Sequence, residues 1–491
     1  MSGEADGGRN VLVLLCDQLR RDLLGCYGND LVRTPNLDAL AAGGVVFDRA
    51  YTPCALCSPA RASLLTGLYP HAHHMFNNST PRYSYCQHLR PDLTTLQDWL
   101  GDHTDHQTAY FGKWHIGPAA DLYASRFEVT HRDYGVGEPL LSSSHWHPSR
   151  ALGTIADPIA GGQAGVLDLP MEQFPDVIAA RMTQRFLRER DPGRPFLAVC
   201  SFPGPHLPWV VPAEFGIRYR PDEIPLWPNR GDSFEGKPLN QRKLRLLQAQ
   251  PDGPLHAMSD DDVLRRMLAC CFSYVELIDM MVGKVLATLD DTGLAEETTV
   301  VFTADHGDMA GAHGFASKGS YMYDEIYRIP LLLRPAGGCE PRRMQELVHL
   351  MDVTATCLHA TAGRELTEVA GQALHGSSLL PLAAGRSHWP RTWHYAQYHG
   401  DWFGHYSVRM VTDGRWKLVW NISDLCELYD LAEDPGELRN RFYDPELAAV
   451  RKRCFAEMTA EAERLGDGQV RPLSPQVELL LGEAGSGPLP L

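Results

Sequence analysis

The sequence has no long hydrophobic run and no basic leader. Residues 1–10 are acidic and rich in Gly, and the apolar stretch that follows, residues 11–15, is short. A secretory signal needs a basic start and a longer apolar stretch, and a membrane-spanning helix needs about 20 apolar residues. The sequence therefore predicts a protein without a signal peptide and without a membrane span.

The sequence also lacks an excess of positive charge. Its 491 residues include 45 Lys and Arg against 61 Asp and Glu, which gives a formal net charge of −16. Nucleic acids and anionic membranes attract basic surfaces, so neither is expected as a partner. A small anionic substrate is compatible with this charge, because a few cations in one pocket can bind it. Twelve cysteines without an export signal favour a reducing compartment, and we expect a cytoplasmic location.

Short apolar runs alternate with longer helical patterns along most of the chain. Buried strands are expected at residues 10–16, 109–111, 195–202 and 299–303. A long helix is expected after Ser259, with residues 260–262 in its first turn and Gly293 as its stop. This alternation is typical of an α/β domain with a large, mostly parallel central sheet flanked by helices.

The character of the sequence changes after about residue 390. The β-rich runs 408–411 and 416–420 flank Asp413-Gly414, a strong hairpin signal, and a helix is expected at 445–465. Segments 118–170 and 203–258 show little periodicity and are expected to be long loops over a site. The expected division is a catalytic α/β domain at 1–390, a small α+β domain with an antiparallel sheet at 391–470, and a disordered tail at 471–491.

Polar residues follow four of the expected strands directly. In an open α/β sheet, ligands bind at the carboxyl ends of the strands. The side chains expected at this edge are Asp17, Gln18, Lys113, His115, His206, Asp305 and His306. Carboxylates, imidazoles and a lysine should therefore meet in one place.

The segment Cys57-Ser58-Pro59-Ala60-Arg61 is the most specific local signal. Ser58 suits a helix cap and Pro59 suits the first helical position, so Cys57 should lie at a helix N-terminus. Free N–H groups and the helix dipole favour an anion there. Cys54 and Cys57 also form a Cys-x-x-Cys, which is compatible with a redox pair or half of a zinc site, although no second pair with zinc spacing follows.

Cys-x-Pro-x-Arg followed by Ala-Ser-x-x-Thr-Gly resembles the signature of the type I sulfatases. Gly112-Lys113-Trp114-His115 resembles the second signature of that family, and Glu427-Leu428-Tyr429-Asp430-Leu431 resembles its common ending. The resemblance implies an alkaline phosphatase-like fold and the hydrolysis of sulfate esters. It also implies that a formylglycine-generating enzyme oxidises Cys57 to formylglycine. The branches that look most similar are those of choline sulfatase and phosphonate monoester hydrolase.

The resemblance implies a metal site as well. Its ligands would be Asp17, Gln18, the modified Cys57, Asp305 and His306. Hard oxygen ligands favour calcium, with magnesium as second choice. The family often has Asp in place of Gln18 and Asn in place of His306. Because an imidazole is a softer ligand, manganese and zinc stay open.

The family mechanism assigns a role to each remaining candidate. The aldehyde at residue 57 is hydrated to a geminal diol, and one hydroxyl attacks sulfur while the other later allows sulfate to leave. His115 would be the base, worth roughly a hundred- to ten-thousand-fold in rate. Arg61 and Lys113 would hold the diol and its charge. His206 and Lys318 would bind sulfate oxygens, and one of them would protonate the departing oxygen. Asn78 resembles a sulfate-contacting amide.

The expected substrate is a sulfate ester of a sugar or another organic sulfate. The nearest alternative is a phosphonate monoester or phosphate diester hydrolase on the same scaffold, which Gln18 and His306 fit equally well but Lys113 with His115 opposes. A catalytically inactive binding protein with the sulfatase fold should have lost a metal ligand or the modification motif, and none is missing. A metal-only hydrolase with an unmodified Cys57 is the remaining alternative.

Overall fold

A nine-stranded sheet forms the centre of the protein in a computed structural model. Four neighbouring strands in the middle of this sheet run parallel, and in spatial order they are Thr298–Ala304, Asn10–Cys16, Phe196–Phe202 and Gln107–Gly112. The predicted parallel α/β core is therefore confirmed. The structure describes residues 10–80, 84–134, 155–250, 256–386, 388–401, 406–421 and 423–470.

The remaining strands make the edges of this sheet. Val129–Thr130 pairs in parallel with Gln107–Gly112 at one edge. On the other side, Leu331–Arg334 runs antiparallel between Thr298–Ala304 and Val45–Tyr51. The last two strands to pair with Val45–Tyr51 are Arg328–Ile329 and Arg342–His349. The sheet is thus parallel at its centre and mixed at one edge.

Helices cover both faces of the sheet. In Asn10–Cys16, alternate side chains such as Leu12 and Leu14 pack into the core beneath the helices Pro175–Glu189 and Asp261–Asp291. The residues between them pack on the opposite face, beneath the helices Cys57–Thr66 and Leu350–Ala362. Because both faces are buried, the parallel strands are apolar throughout, which explains why they appear in the sequence as continuous hydrophobic runs.

The long helix that the sequence predicts spans Asp261–Asp291. The sequence predicts Asp260 in the first turn of this helix, but in the structure Asp260 is the N-cap. Its backbone is extended and its carboxylate accepts hydrogen bonds from the N–H groups of Asp262 and Val263. The helix stops just before Gly293, whose φ of 71° is left-handed, as predicted.

The other α-helices of the described ranges are mostly short, and the longest of them is near the C-terminus. They are Pro35–Ala42, Pro70–His73, Leu96–His103, Ala119–Ala124, Leu239–Gln248, Asp324–Tyr327, Leu380–Ala383 and Ala448–Leu465. Within the described ranges, no helix has the length and apolar character needed to cross a membrane.

The segments expected to be loops contain more regular structure than predicted. Ile155–Ile159, Ala164–Leu167 and Trp209–Pro212 form a three-stranded sheet, and Leu239–Gln248 is helical. The Trp209–Pro212 strand is buried against the long helix, but it is only four residues long and follows a proline, so it leaves no periodic signal in the sequence. Parts of both segments, 135–154 and 251–255, lie outside the described residues.

A smaller antiparallel sheet lies near the C-terminus. Its four strands are, in order, His394–Tyr398, Val408–Thr412, Trp416–Trp420 and Glu427–Asp430. The predicted hairpin at Asp413-Gly414 is confirmed, and the carboxylate of Asp413 accepts hydrogen bonds from two N–H groups of the turn. The helix Ala448–Leu465 packs on one face of this sheet. The domain boundary at residue 390 stays a prediction, and the expected tail, 471–491, lies outside the described residues.

Candidate active site

The ends of the parallel strands meet at one edge of the sheet, as the sequence predicts. Backbone hydrogen bonds continue just past these ends. Asp17 N–H donates to the Phe202 carbonyl at 3.2 Å, Asp305 N–H to the Cys16 carbonyl at 3.1 Å, and Lys113 N–H to the Ser201 carbonyl at 2.9 Å. The sheet itself therefore fixes the backbone of three candidate residues.

Cys57 begins the helix Cys57–Thr66 and is fully buried. Ser58 is not the helix cap that the sequence predicts, because it lies inside the helix and Leu56 is the N-cap. The Ser58 N–H donates to the amide oxygen of Asn78 at 3.1 Å. The Ser58 hydroxyl donates to the carbonyl of His115, and Pro59 is the third helical residue rather than the first. The helix start is thus tied to the segment that carries Lys113 and His115.

Four acidic, thiol and imidazole groups cluster around Cys57. One ligand atom each from Asp17, Cys57, Asp305 and His306 lies within 4.8 Å of the others, and all four residues are buried. The Cys57 sulfur is 3.6 Å from Asp17 Oδ1 and 3.2 Å from His306 Nε2. A group with this spacing and these donor types could hold a metal ion.

The orientation of the donors fits a divalent cation. His306 Nδ1–H donates to the Gly307 carbonyl at 2.8 Å, so in this tautomer the lone pair on Nε2 faces the cluster. Asp305 Oδ1 accepts the N–H groups of Gln18 and His306 at 3.0 and 2.9 Å. The ligand set thus combines two carboxylates with one imidazole, and this combination accepts hard and borderline cations alike.

Gln18 is turned toward neighbours of the cluster. Its amide oxygen accepts a hydrogen bond from Lys318, and its amide nitrogen donates to Asp308 at 2.5 Å. Asp308 also accepts the N–H of Ala310 at 2.8 Å, so it caps the turn that follows His306. The metal-ligand role of Gln18 stays a prediction.

Arg61 donates hydrogen bonds to both carboxylates of the cluster, those of Asp17 and Asp305. Its Nε donates to Asp305 at 2.8 Å and its Nη2 to Asp17 at 3.1 Å. Its Nη1 donates to the Lys113 carbonyl at 2.7 Å and to the Ser201 hydroxyl at 2.8 Å. The resemblance implies that Arg61 holds the diol and its charge, and in the structure its hydrogen bonds orient the carboxylates that face residue 57.

Two lysines bring positive charge to the cysteine. Lys318 Nζ lies 3.3 Å from the Cys57 sulfur and donates to His206 Nε2 at 2.8 Å. His206 Nδ1–H donates to the Leu207 carbonyl at 2.6 Å, so its Nε2 is free to accept from the lysine. Lys113 is 1% exposed and forms an ion pair with Asp17.

The electrostatics favour an anion at position 57. Burial raises the pKa of the Cys57 thiol, but the charges of Lys113, Lys318 and His306 outweigh that effect and hold the pKa well below its usual range. Cys54 is a free buried thiol, and in its case burial raises the pKa. The two cysteines of the Cys-x-x-Cys therefore have opposite environments, which does not favour a redox pair.

His115 is buried beside Cys57. It is 5% exposed, and its imidazole interacts with the Cys57 side chain, which lowers the pKa of the thiol and raises that of the imidazole. Burial is the larger influence and lowers the pKa of His115 to about 4. The imidazole is therefore positioned next to residue 57.

Asp401 is a further candidate, which no sequence motif indicates. Burial raises its pKa to about 6, and the charges of Lys318 and Cys57 act on its carboxyl group, which also accepts the N–H of Asn78. It follows the first strand of the C-terminal sheet, His394–Tyr398. No local motif marks this residue, because only the packing of that sheet brings it to the site.

The parallel sheet, the buried cluster at its carboxyl edge and the buried Cys57 at a helix start are features of a hydrolase of the alkaline phosphatase superfamily. Residues 9–363 match the sulfatase family, and residues 311–464 match the C-terminal region of N-sulphoglucosamine sulphohydrolase. The chain belongs to the sulfatase family, whose members hydrolyse sulfuric esters.

Similar proteins agree with this membership. The uncharacterized sulfatase YidJ of Escherichia coli strain K12 is 30% identical over 475 residues, which cover 93% of this chain and 88% of that protein. A protein solved with its substrate D-glucosamine-2-N,6-O-disulfate shares the fold with a TM-score of 0.75 at 22% identity, over 94% of this chain and 98% of that one. The phosphonate monoester hydrolase of Agrobacterium radiobacter gives a TM-score of 0.73 at 25% identity, over 94% and 96%.

Proposed function

We propose that this sulfatase cleaves sulfate esters of sugars through a formylglycine made from Cys57. The observation that carries the proposal is the convergence of Asp17, His306 and Lys318 on the Cys57 sulfur, at distances of 3.2 to 3.6 Å. Hydrated formylglycine supplies one hydroxyl that attacks sulfur and a second hydroxyl whose deprotonation reforms the aldehyde and releases sulfate. A divalent cation held by Asp17, Gln18, residue 57, Asp305 and His306, with calcium as first choice, supplies positive charge beside the attacked group.

His115 is the proposed base for the release of sulfate. Burial keeps its pKa near 4, so the imidazole is neutral and able to accept a proton at neutral pH. Its imidazole interacts with the side chain of residue 57, which puts it within reach of a diol formed there. The hydrogen bond from the Ser58 hydroxyl to the His115 carbonyl fixes the distance between His115 and the helix start.

Lys318 is the proposed acid for the departing alcohol. Because His206 Nε2 accepts a hydrogen bond from it, the shared proton resides on the lysine. His206 then orients the ammonium group toward the departing oxygen. Asn78 uses its amide oxygen for the Ser58 N–H, which leaves its NH₂ group to donate to a sulfate oxygen.

A sugar is the proposed alcohol part of the substrate. The C-terminal match is to N-sulphoglucosamine sulphohydrolase, and a protein of the same fold was solved with a disulfated glucosamine. Asp401 supports this assignment, because a carboxylate beside a sulfate site can accept hydrogen bonds from ring hydroxyls or from an amino group.

Phosphonate monoester hydrolysis is the second candidate. It is favoured by the imidazole of His306 among the metal donors and by the phosphonate hydrolase of the same fold. Matched aryl sulfate and aryl phosphonate esters separate the two activities. We expect faster turnover of the sulfate, and a phosphonate rate higher by several decades would reverse the assignment.

The decisive experiment is peptide mass spectrometry across Cys57 in protein from its own host. We expect the mass of formylglycine in place of the thiol, together with turnover of sulfated sugars. An intact thiol in protein that still turns over sulfate esters would leave a metal-only hydrolase as the answer. Co-expression with a formylglycine-generating enzyme tests the proposed maturation partner, since activity should rise with the modified fraction.

A cytoplasmic location is also proposed. It is supported by the chemistry of the thiols, since all twelve cysteines lie in the described part of the chain and all are free. Fractionation of host cells with an antibody to the protein checks it, and recovery from the periplasm or the medium would contradict it.

A further inference from the structure

A second pocket with positive charge lies outside the active site. Its volume is about 570 Å³, within the size range of small-molecule sites. Three arginines line it, Arg230, Arg245 and Arg265, together with apolar walls from Leu226 and Met258. None of the residues assigned to the active site lines this pocket, which we call the arginine pocket.

Arg245 has no acidic partner in the arginine pocket. Its Nη1 makes long hydrogen bonds of 3.2 and 3.4 Å to the carbonyls of Asp232 and His313. Its Nε and Nη2 have no hydrogen-bond partner in the described part of the chain, and no carboxylate there lies within ion-pair distance. Partial burial and the nearby charge of Arg230 lower the pKa of Arg245 and outweigh the opposite influence of Asp232, so the cation is destabilised where it stands.

The carboxylates that pair with the other two arginines face solvent, and backbone carbonyls accept further hydrogen bonds from both arginines. Arg230 donates to Asp261, which also lines the arginine pocket, at 2.7 Å, and the Asp261 side chain is 57% exposed. Arg265 donates to Asp262 at 3.3 Å, and the Asp262 side chain is 93% exposed. Exposed pairs of this kind hold their partners weakly, so both guanidinium groups can also interact with an incoming anion.

We propose that the arginine pocket is an accessory site for an oxyanion, either free sulfate or a sulfate group on a saccharide. The unused donors of Arg245 form a planar fork that matches two oxygens of such a group. An anion there would offset both the burial of Arg245 and its repulsion from Arg230. The apolar walls leave room for a sugar ring beside the charged group.

The segment that carries Lys318 passes along the arginine pocket. Gly314 lines it with a φ of 66°, and a Cβ at this position would lie 2.7 Å from Arg245 Cζ. Gln248 accepts the Ala316 N–H at 3.3 Å and donates to the Ala316 carbonyl at 3.5 Å. Variants of Arg245 therefore need a check that the catalytic segment keeps its structure.

Titration calorimetry on the full-length, metal-loaded protein tests the proposal. Sodium sulfate is compared with sodium chloride at equal ionic strength, so that general screening cancels. We expect Arg245→Gln to weaken one sulfate-binding event by about tenfold or more, because it loses charge-assisted hydrogen bonds. Arg242→Gln is the matched control, since Arg242 lies on the same helix and donates to the Phe234 carbonyl outside the arginine pocket.

A second variant separates the two anion sites. Lys318→Ala should remove binding at the active site and leave the event that depends on Arg245. A disulfated disaccharide, titrated into the same variant, identifies the source, because tighter binding than free sulfate means a saccharide-borne group. Equal sulfate binding by the wild type and Arg245→Gln would overturn the proposal.

Turnover of a small aryl sulfate keeps this test apart from the proposed reaction. Arg245→Gln should keep wild-type turnover, which shows that the Lys318 segment is intact. If Arg245→Gln does not fold, Arg245→Lys replaces it, since this variant keeps the charge but loses the fork. We expect its sulfate binding to be intermediate, and wild-type affinity in a folded Arg245→Lys would contradict recognition by the guanidinium.

Discussion

In the proposed reaction, residue 57 must do two things that an ordinary side chain cannot combine. The charges that lower the pKa of the Cys57 thiol would also stabilise an ionised hydroxyl at this position, which could then attack sulfur. A single oxygen nucleophile would then be trapped as a sulfate ester. The second hydroxyl of a hydrated aldehyde removes this trap, because its deprotonation expels sulfate.

Substitution of Cys57 tests both halves of this argument. We expect Cys57→Ala to abolish turnover of an aryl sulfate, and Cys57→Ser to transfer at most one sulfate per protein and then stop. Steady-state rates and the intact mass of the protein, which gains one sulfate in the serine variant, measure these outcomes. Near-wild-type circular dichroism is the control for folding. Continued turnover by the alanine variant would refute the assigned nucleophile.

His115 should control the second half of the reaction. Without its imidazole, the diol sulfate forms but loses its second proton slowly, so His115→Ala should accumulate sulfated protein. We expect a fall in kcat of about a hundred- to ten-thousand-fold. Rapid quenching followed by mass spectrometry detects the adduct. The absence of any adduct at saturating substrate would remove this residue from the role of base.

Lys318 should matter most for poor leaving groups. A proton donor helps an alkoxide far more than it helps a nitrophenolate, which leaves unaided. Lys318→Ala should therefore lower kcat/KM on a sugar sulfate by about a hundredfold more than on nitrophenyl sulfate. His206→Ala should show the same trend more weakly, since His206 acts through the lysine. A uniform loss on both substrates would mean that Lys318 binds sulfate without acting as an acid.

The sequence predicts the polar residues of the site better than their partners. Asp17, Lys113 and Asp305 follow apolar strands directly, and this local pattern is visible in one dimension. The contacts of Arg61 with the two carboxylates are not visible, because they join residues far apart in the chain. Asp401 is hidden for the same reason, since the C-terminal sheet positions it.

At the scale of elements, the strand Gln107–Gly112 positions Lys113 and His115, and a buried histidine secures its end. The N–H of Gly112 donates to Nε2 of His131 at 2.8 Å. This bond requires a neutral, unprotonated Nε2. Burial lowers the pKa of His131 to about 4, consistent with that requirement.

The stability of the protein should therefore depend on His131 in mildly acidic solution. His131 binds a proton near pH 6.5 in the unfolded chain and only near pH 4 in the folded chain. The stabilisation of the fold by neutral His131 is therefore complete above pH 6.5 and is lost as pH falls toward 4. We expect His131→Gln, whose amide oxygen can accept the same bond without titrating, to reduce the loss of unfolding free energy between pH 6.5 and 4.5 by about 2 kcal/mol.

Urea denaturation at several pH values measures this difference. His256→Gln is the control, because it removes an exposed histidine. Identical pH slopes for the wild type and His131→Gln would show that His131 does not carry the effect.

Helices and strands are predictable from the sequence where their local pattern is long enough to recognise. The parallel strands are fully buried and so appear as apolar runs, and the long helix has both a cap and a periodic face. The sequence does not predict the Trp209–Pro212 strand, because it is only four residues long and pairs with the distant Ala164–Leu167. Short elements leave too few residues for a period to show.

At the scale of the whole molecule, the two sheets share a core. Tyr51, Tyr321 and Tyr323 of the predicted catalytic domain pack in one apolar cluster with Met410 and Tyr429 of the C-terminal sheet. An abrupt change of sequence character marks the second sheet, and this apolar cluster joins it to the first. The boundary at residue 390 stays a prediction, and a shared cluster leads us to expect that the two parts unfold together.

A buried ion pair crosses the same interface. Lys417 Nζ is fully buried and donates to Asp324 at 2.5 Å and to Glu437 at 2.8 Å. We expect Lys417→Met to destabilise the protein by about 3–5 kcal/mol, because the carboxylates lose their counter-ion in a medium that cannot solvate them. Lys452→Met, on the exposed side of the C-terminal helix, is the matched control.

Differential scanning calorimetry then decides whether the molecule is one cooperative unit. Because the apolar cluster and the ion pair both join the two sheets, opening either sheet exposes the interior of the other. We expect one transition in the wild type, and one transition at lower temperature in Lys417→Met. Two resolved transitions in the wild type would mean that the C-terminal sheet unfolds alone, and a fragment of residues 1–390 would then be expected to fold without it.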